Sequence, residues 1–443
     1  MSRLNIKQMT PSQIILLSFL LLILSGTLLL MLPFSSQTME STPFLTSLFT
    51  AVSATCVTGL VLVDTAAYWS TFGQLVILLL IQIGGMGVVT MAISIALFTG
   101  RKISLKQRWI MQESVSAPQV GGILRHTWFI LKLTFLIEAL GALCLSFRFI
   151  PEFGPLKGIW YSVFHSISAF CNAGFDLMGT VQSFSSLTQY RNDPLIVLTV
   201  SALIIFGGLG FLTWKELCSH HFQFKRISLS SKLVVKTTLF LVVISFLYFF
   251  FIECTELEFT DRLLASWFQA VTPRTAGFNT IQQTELSESG ILITILLMLI
   301  GGSPGSTAGG FKTTTLAVLV LSMRSVFTHR TSPQAYGRRI SNDSLHQASA
   351  LFMLYFVLFL FSGLLISNIE QISLLTSLYE TASAIGTVGL TLGITPSLCD
   401  ASQIILILLM IFGRVGGLTI IYAVFAKNAN HALEYPLEKI TIG

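Results

Sequence analysis

Eight apolar runs, each long enough to cross a lipid bilayer, constrain this chain more than any other feature. A crossing needs about 20 apolar residues, because the hydrocarbon core is about 30 Å thick. The runs lie at roughly 12–32, 71–98, 127–149, 194–214, 233–252, 289–320, 346–367 and 402–426. Only 10% of the 443 residues are charged, against 53% hydrophobic, and the mean hydropathy is +0.78. Soluble domains usually carry about 25% charged residues. So few charges cannot cover a globular surface, and the bilayer is the solvent of this chain. A secreted disulfide scaffold, a disordered hub and a nucleic-acid binder are excluded.

The first run follows Arg3 and Lys7, as a signal peptide would, but Ile14 to Leu32 is too long for such a segment, and no clean cleavage site follows. It is expected to be a mature span. The six cysteines (56, 144, 171, 218, 254 and 399) stand singly, without CxxC spacing, and several sit in apolar segments as small hydrophobes. No histidine stands at metal-ligand spacing.

Even numbers of spans put both termini on one side. The termini and the loops after spans 2, 4 and 6 hold seventeen Lys and Arg residues, whereas the opposite loops hold five: Arg148, Lys157, Arg191, Arg262 and Arg274. The positive-inside rule makes the basic side, with both termini, cytoplasmic. The opposite side carries fourteen acids, among them Glu253, Glu256 and Glu258, which attract cations or merely avoid the inner face.

The outer loops are too apolar for loops. Each holds a half-span followed by a short polar stretch ending in glycine and Leu or Phe: 43–54 then Thr55-Cys56-Val57-Thr58-Gly59-Leu60; 159–170 then Cys171-Asn172-Ala173-Gly174-Phe175; 262–272 then Pro273-Arg274-Thr275-Ala276-Gly277-Phe278; 372–384 then Ile385-Gly386-Thr387-Val388-Gly389-Leu390. The glycines at 59, 174, 277 and 389 are 115, 103 and 112 residues apart. Glycine pairs recur in the downstream spans at Gly84-Gly85, Gly207-Gly208 and Gly301-Gly302, with Gly413-Arg414 in the fourth. The unit of span, short helix, glycine loop and span therefore occurs four times, over 1–100, 101–220, 221–330 and 331–443, the last with a C-terminal extension. The expected fold is all-α and integral to the membrane, with eight transmembrane helices and four re-entrant pore helices around a pseudo-fourfold pore.

Irregular backbone survives at membrane depth only where it is buried in protein or lines a water-filled cavity. Four loops around one axis can ring an ion with carbonyl oxygens in place of its water shell, and half-helices pointing their C-terminal ends inward favour a cation. With no carboxylate in the glycine loops, the site suits a monovalent ion better than a divalent one. The candidate ion-binding residues are Val57, Thr58, Gly59, Asn172, Ala173, Gly174, Thr275, Ala276, Gly277, Thr387, Val388 and Gly389. A monovalent cation is then cargo, held in the filter alone, and no cofactor or resident metal is expected.

Span 6 is interrupted by Gly301, Gly302, Ser303, Pro304, Gly305, Ser306, Thr307, Ala308, Gly309 and Gly310, followed by Phe311 and Lys312. Gly and Pro weaken a helix, and Pro removes a donor, so this stretch reads as a movable loop below the filter, the bland alternative being a packing kink. Arg414 stands where the other repeats carry Gly85, Gly208 and Gly302. An arginine near mid-membrane faces a cavity or a partner and marks function by default. It is expected to be a positive barrier holding the loop closed, the alternative being a structural role, paired with Glu138 or a loop carbonyl. Arg274 is expected to turn behind the filter and pair with Glu380. His165, His220 and His221 read as structural or solvated.

These motifs, TCVTGL, CNAGF, PRTAGF and GTVGL within four span–pore-helix–span units, resemble the Trk/Ktr/HKT superfamily of potassium-translocating proteins, and the eight-span length is most similar to its Ktr membrane subunits. The resemblance covers residues 10–443. It implies K+ preference from glycine at all four filter positions, an intramembrane gating loop in the third repeat, homodimers with one pore per protomer, a cytoplasmic ring of nucleotide-binding RCK (KtrA-like) subunits, and Na+ as a candidate activator. The basic inner loops 101–108, 215–232 and 324–339 are candidate docking surfaces, and Leu433–Gly443 a candidate dimer element.

A carrier coupling K+ to Na+ or H+ is the alternative, with Glu113, Glu138 and Asp176 as candidate coupling groups. An enzyme is not expected: the one GxSxG match, at Gly301–Gly305, sits mid-span without the strand–turn–helix setting of a nucleophile elbow. The near phosphate-binding loop at 305–313 is broken by Phe311.

Overall fold

The structure, a computed structural model, describes residues 9–98, 104–114, 123–180, 182–330, 332–425 and 438. All but Glu438 of the candidate dimer element at 433–443, and part of the basic loop at 101–108, therefore lie outside the described residues.

Four units follow one another. The first comprises α1 (Pro11–Leu30), α2 (Phe44–Cys56), the short α3 (Thr65–Tyr68), α4 (Thr71–Met86) and α5 (Val88–Phe98); α6 (Leu105–Ser114) leads to the second. That unit holds α7 (Ile123–Phe153), α8 (Pro155–Phe170), α9 (Pro194–Gly208) and α10 (Phe211–Ser219). The third holds α11 (Leu229–Tyr248), α12 (Phe259–Val271), α13 (Glu288–Leu299) and α14 (Thr313–Phe327). A hairpin, β1 (Gln334–Ala335) with β2 (Arg338–Arg339), precedes the fourth: α15 (Asn342–Glu370), α16 (Leu374–Gly386), α17 (Asp400–Val415) and α18 (Gly417–Phe425).

The first helix of each unit, α1, α7, α11 and α15, is long and apolar enough to cross a membrane. Only 28–33% of the residues in their apolar windows are buried. Leu28, Phe147, Phe240 and Phe361 face outward, each about 60% exposed or more. An apolar exterior of this extent belongs in lipid, where it carries no hydration penalty. Local signals set the helix starts. Thr10 and Gln13 form a capping box at α1, with Thr10 Oγ1 accepting from Gln13 N at 3.3 Å. Asp193, Ser287 and Ser373 accept from the first turns of α9, α13 and α16.

The second spans of three units are bent. Residues 71–94, 194–219 and 400–423 each turn through about a right angle, by 96°, 94° and 96°. The turns fall at Gly87, Gly210 and Gly416, with φ of +87°, +88° and +92°. Glycine alone takes that backbone without steric cost. Each turning glycine lies three residues after the first glycine of its pair, at 84, 207 and 413. In the third unit no such turn forms: α13 stops at Leu299 and the chain runs irregularly to Lys312 before α14 begins.

Candidate functional site

The pore helices α2, α8, α12 and α16 end at the glycine loops. In every loop the residue two before the glycine has positive φ: Val57 at +58°, Asn172 at +58°, Thr275 at +78° and Thr387 at +51°. The glycines follow at +91°, +68°, +81° and +97°. Three of these four non-glycine residues are β-branched, for which positive φ costs roughly 1–2 kcal/mol each. The strain is held by hydrogen bonds. Thr58 N, Ala173 N and Val388 N donate to the carbonyls of Ser53, Ser168 and Ser383, each at 2.8 Å. Gly59 N and Gly389 N donate to the Oγ atoms of Ser53 and Ser383 at 3.1 and 3.0 Å. Ser168 Oγ instead donates to Phe175 O at 2.7 Å, and Thr272 Oγ1 to Phe278 O. These hydroxyls were not singled out from the sequence. Their signal is a serine six residues before the glycine in three repeats, at 53, 168 and 383.

The four loops close into a ring in chain order. A methyl group at Gly59 would lie 2.5 Å from Ala173 O, and one at Gly174 would lie 2.8 Å from Ala276 O. At Gly277 it would strike Val388 O, and at Gly389 it would strike Thr58 O. Each glycine thus receives the carbonyl of the next repeat, and the fourth returns to the first. The expected filter residues are buried together here. Asn172 Oδ1 and the hydroxyls of Thr58, Thr275 and Thr387 are buried without a protein partner. Buried polar atoms are normally paired, and oxygens gathered in a ring of carbonyls suit a cation that has shed water.

The paired glycines explain how the downstream spans meet this ring. A side chain at Gly84, Gly207 or Gly413 would overlap the carbonyls of Thr55, Phe170 and Ile385, each four residues before a filter glycine. The spans press backbone to backbone on the ends of the pore helices.

Beneath the ring, the irregular segment of the third unit crosses to its neighbours. Ser303 N and Thr307 N donate to Gly208 O and Gly207 O at 3.0 and 3.2 Å, Phe211 N to Gly305 O at 2.9 Å, and Gly310 N to Gly413 O at 3.1 Å. Thr307 Oγ1 accepts from Asn172 Nδ2 and donates to Phe170 O, both at 3.0 Å. The segment therefore lies directly against the second glycine loop. Lys312 Nζ turns back onto Ala308 O and Gly309 O, at 2.8 and 3.2 Å.

Arg414 locks this arrangement. One amino group donates to Thr307 O, and the other to Gly84 O and, at 2.8 Å, to Gly85 O. A side chain of the fourth unit thereby joins the first and third across the centre. Of the two partners in the structural alternative, the loop carbonyl is present, at Thr307 O, and Glu138 is not, its carboxylate accepting from Gln82 Nε2 at 3.2 Å. A cavity of about 290 Å³ opens below, lined by Gly85, Tyr355, Lys312, Arg414 and, further out, Glu113.

Arg274 corrects an expectation. It does not pair with Glu380: its Nη2 reaches Thr238 Oγ1 at 3.5 Å and its Nε has no partner, while Glu380 accepts from Leu392 N at 3.2 Å and from the hydroxyls of Thr391 and Thr395. The carboxylate stabilises the loop that follows its own filter segment, and these local donors satisfy it. His165 is structural, its Nδ1 donating to Tyr161 O at 2.7 Å and its Nε2 accepting from Leu177 N at 3.2 Å. Glu113, Glu138 and Asp176 do not converge; their bonds go to Ser12, Gln82 and Met178 N respectively. Among the described residues no group of three acids, histidines or cysteines could hold a metal.

Comparison with known proteins agrees with this architecture. Residues 2–432 match the TrkH family, described as cation transport proteins. The chain is 41% identical to the potassium/sodium uptake protein NtpJ of Enterococcus hirae, over 99% of this chain and 98% of that one. It is 40% identical to the Ktr system potassium uptake protein B of Bacillus subtilis, over 98% and 97%, and 33% identical to its namesake in Vibrio alginolyticus, over 97% and 94%. The solved structure of the potassium transporter TrkH from Vibrio parahaemolyticus shares the fold with a TM-score of 0.72 at 17% identity, covering 96% of this chain and 87% of that one. The chain is a multi-pass membrane protein of the TrkH cation transport family, a transporter and not an enzyme.

Proposed function

We propose that this chain is the potassium-translocating membrane subunit of a bacterial K+ uptake system. The ring closed by Gly59, Gly174, Gly277 and Gly389 carries this reading, because each glycine admits a neighbouring carbonyl where any side chain would block it. Residues 57–59, 172–174, 275–277 and 387–389 are the filter, and K+ passes down its gradient with their oxygens in place of water. The names of the relatives, potassium uptake proteins over nearly the whole chain, support the choice of ion.

The segment 301–310, with Lys312 and Arg414, is the gate. Arg414 places positive charge under the filter and bonds the segment shut; opening requires those bonds to break together. Both termini face the cytoplasm of the cell membrane, following the basic residues. A homodimer on a cytoplasmic RCK ring provides control. A Na+-coupled K+ carrier is the second reading, supported by the potassium/sodium name of the Enterococcus relative, although the three candidate acids are scattered.

The test is K+ uptake at low external K+ by cells lacking their own importers, with and without an RCK partner. Rescue that is weakened by Gly174→Ser supports the filter. No rescue by membrane-inserted protein with a matched partner would overturn the reading.

A further inference from the structure

A groove of about 520 Å³ runs between α11 and α14, at the end of the molecule away from the filter ring. Its floor is apolar, with Phe240 and Val320 more than half or about half exposed. Its rim is basic: Lys236, Arg324 and Arg330 line it, and no Asp or Glu does. The β1–β2 hairpin closes one side with Tyr336, whose ring is approached by Lys232 Nζ at 5.6 Å and Lys236 Nζ at 5.8 Å. The tight turn that presents Tyr336 is a Tyr336-Gly337 pair with φ of +50° and +72°. Among the described residues none of these four cations joins an ion pair.

Several positive charges crowded at a membrane-facing groove repel one another unless an anion lies among them. An apolar floor with such a rim complements one kind of molecule: acyl chains below and a phosphate above. Basic pockets between transmembrane helices bind anionic head groups in this way. A second copy of the chain fits less well, because its acids concentrate at the opposite, filter-side end, as at Glu253, Glu256, Glu258, Asp261, Glu285 and Glu288.

We propose that the α11–α14 groove is a binding site for an anionic phospholipid of the leaflet away from the filter, its phosphate held by Lys236, Arg324 and Arg330. The site bears on the gate through chain continuity. α14 supplies Leu316, Val320 and Arg324 to the groove, and its first residue, Thr313, directly follows the gate segment, with Thr313 N donating to Gly302 O at 3.1 Å. A lipid wedged between α11 and α14 holds the helix that any movement of the segment must displace.

The experiment measures phosphatidylglycerol retained by purified protein, by native mass spectrometry after delipidation and titration with phosphatidylglycerol or phosphatidylcholine. The wild type retains the anionic lipid in preference, and the pair Lys236→Gln with Arg324→Gln retains it about thirtyfold less well, from the loss of two charges near the surface. The pair Arg338→Gln with Arg339→Gln, which removes equal charge from the hairpin outside the groove, leaves retention unchanged. Val320→Trp, filling the floor with the cations intact, also lowers it and covers the case of a poorly folded double variant. Equal retention by all proteins would overturn the site, and an equal loss in both double variants would reduce it to diffuse surface charge. A fall in dimer content without a change in lipid would give the groove to a second copy instead.

Discussion

Arg414, one residue before the end of α17, donates to the main-chain carbonyl of Thr307 in the interrupted third-unit span. Its second amino group reaches Gly85 O at 2.8 Å. Thr307 in turn bonds Asn172 of the second filter loop at 3.0 Å. One guanidinium thus ties the segment below the filter to two other units, and the same segment touches the filter itself. On the proposed gating role, breaking the tie frees the segment.

Replacing Arg414 by Ala removes charged hydrogen bonds, worth about 1.5–3 kcal/mol each. The expected outcome is K+ flux at least tenfold higher at equal protein level, with K+ over Na+ preference retained. Uptake velocity in cells or vesicles checks this, and Arg414→Lys should lie between the two, because a lysine cannot span Thr307 and Gly85 with a planar fork.

Gly207 and Gly208 are neighbours with opposite tolerances. A side chain at Gly207 would overlap Phe170 O, whereas one at Gly208 meets only Asn172 Nδ2 at 3.8 Å. Gly207→Ala should destabilise the protein by about 1–3 kcal/mol through overpacking and lower uptake; Gly208→Ala should leave thermal stability unchanged. Melting curves of the two purified variants give the comparison.

Ser53 and Ser383 each hold a filter glycine through its amide. Removing one hydroxyl leaves a buried N–H unpaired, at a cost of about 1–3 kcal/mol. Ser383→Ala is therefore expected to loosen its loop and lower K+ over Na+ discrimination severalfold in competition uptake. Ser377→Ala, on the same helix but bonded only to Ser373 O, should not.

Arg274 makes one long hydrogen bond and no ion pair with Glu380. Arg274→Gln should therefore keep full K+ selectivity in the same competition assay, whereas Glu380→Gln, which weakens three donors' partner, should lower stability.

The repeats were legible because a half-span before a glycine has no soluble explanation, and because four copies in order leave little to chance. The carbonyl partner of Arg414, the structural alternative to a barrier, was legible for a similar reason: a guanidinium inside an apolar run has to find oxygen. The right-angle turns at Gly87, Gly210 and Gly416 were not, since an apolar run carries no direction and a helix that bends after a glycine has the same hydropathy as one that continues. The Gly84–Gly87, Gly207–Gly210 and Gly413–Gly416 spacing held that information unread. Arg274 and Glu380 were wrongly joined because opposite charge says nothing of distance; Thr391, Thr395 and the Leu392 amide, local in sequence to the carboxylate, had already satisfied it. The serines six before the glycines look like any other pore-helix residue in the sequence, and only the positive-φ backbone of the loops makes the amide partners of Ser53 and Ser383 available.

The most direct measurement is competition between K+ and Na+ for uptake by purified protein in vesicles, across Gly59→Ser, Gly174→Ser, Gly277→Ser and Gly389→Ser. A ring in which each glycine receives the next repeat's carbonyl predicts that every one of the four substitutions lowers K+ preference. Unchanged preference in all four would contradict the ring as the selecting element, and would move selectivity to another part of the chain.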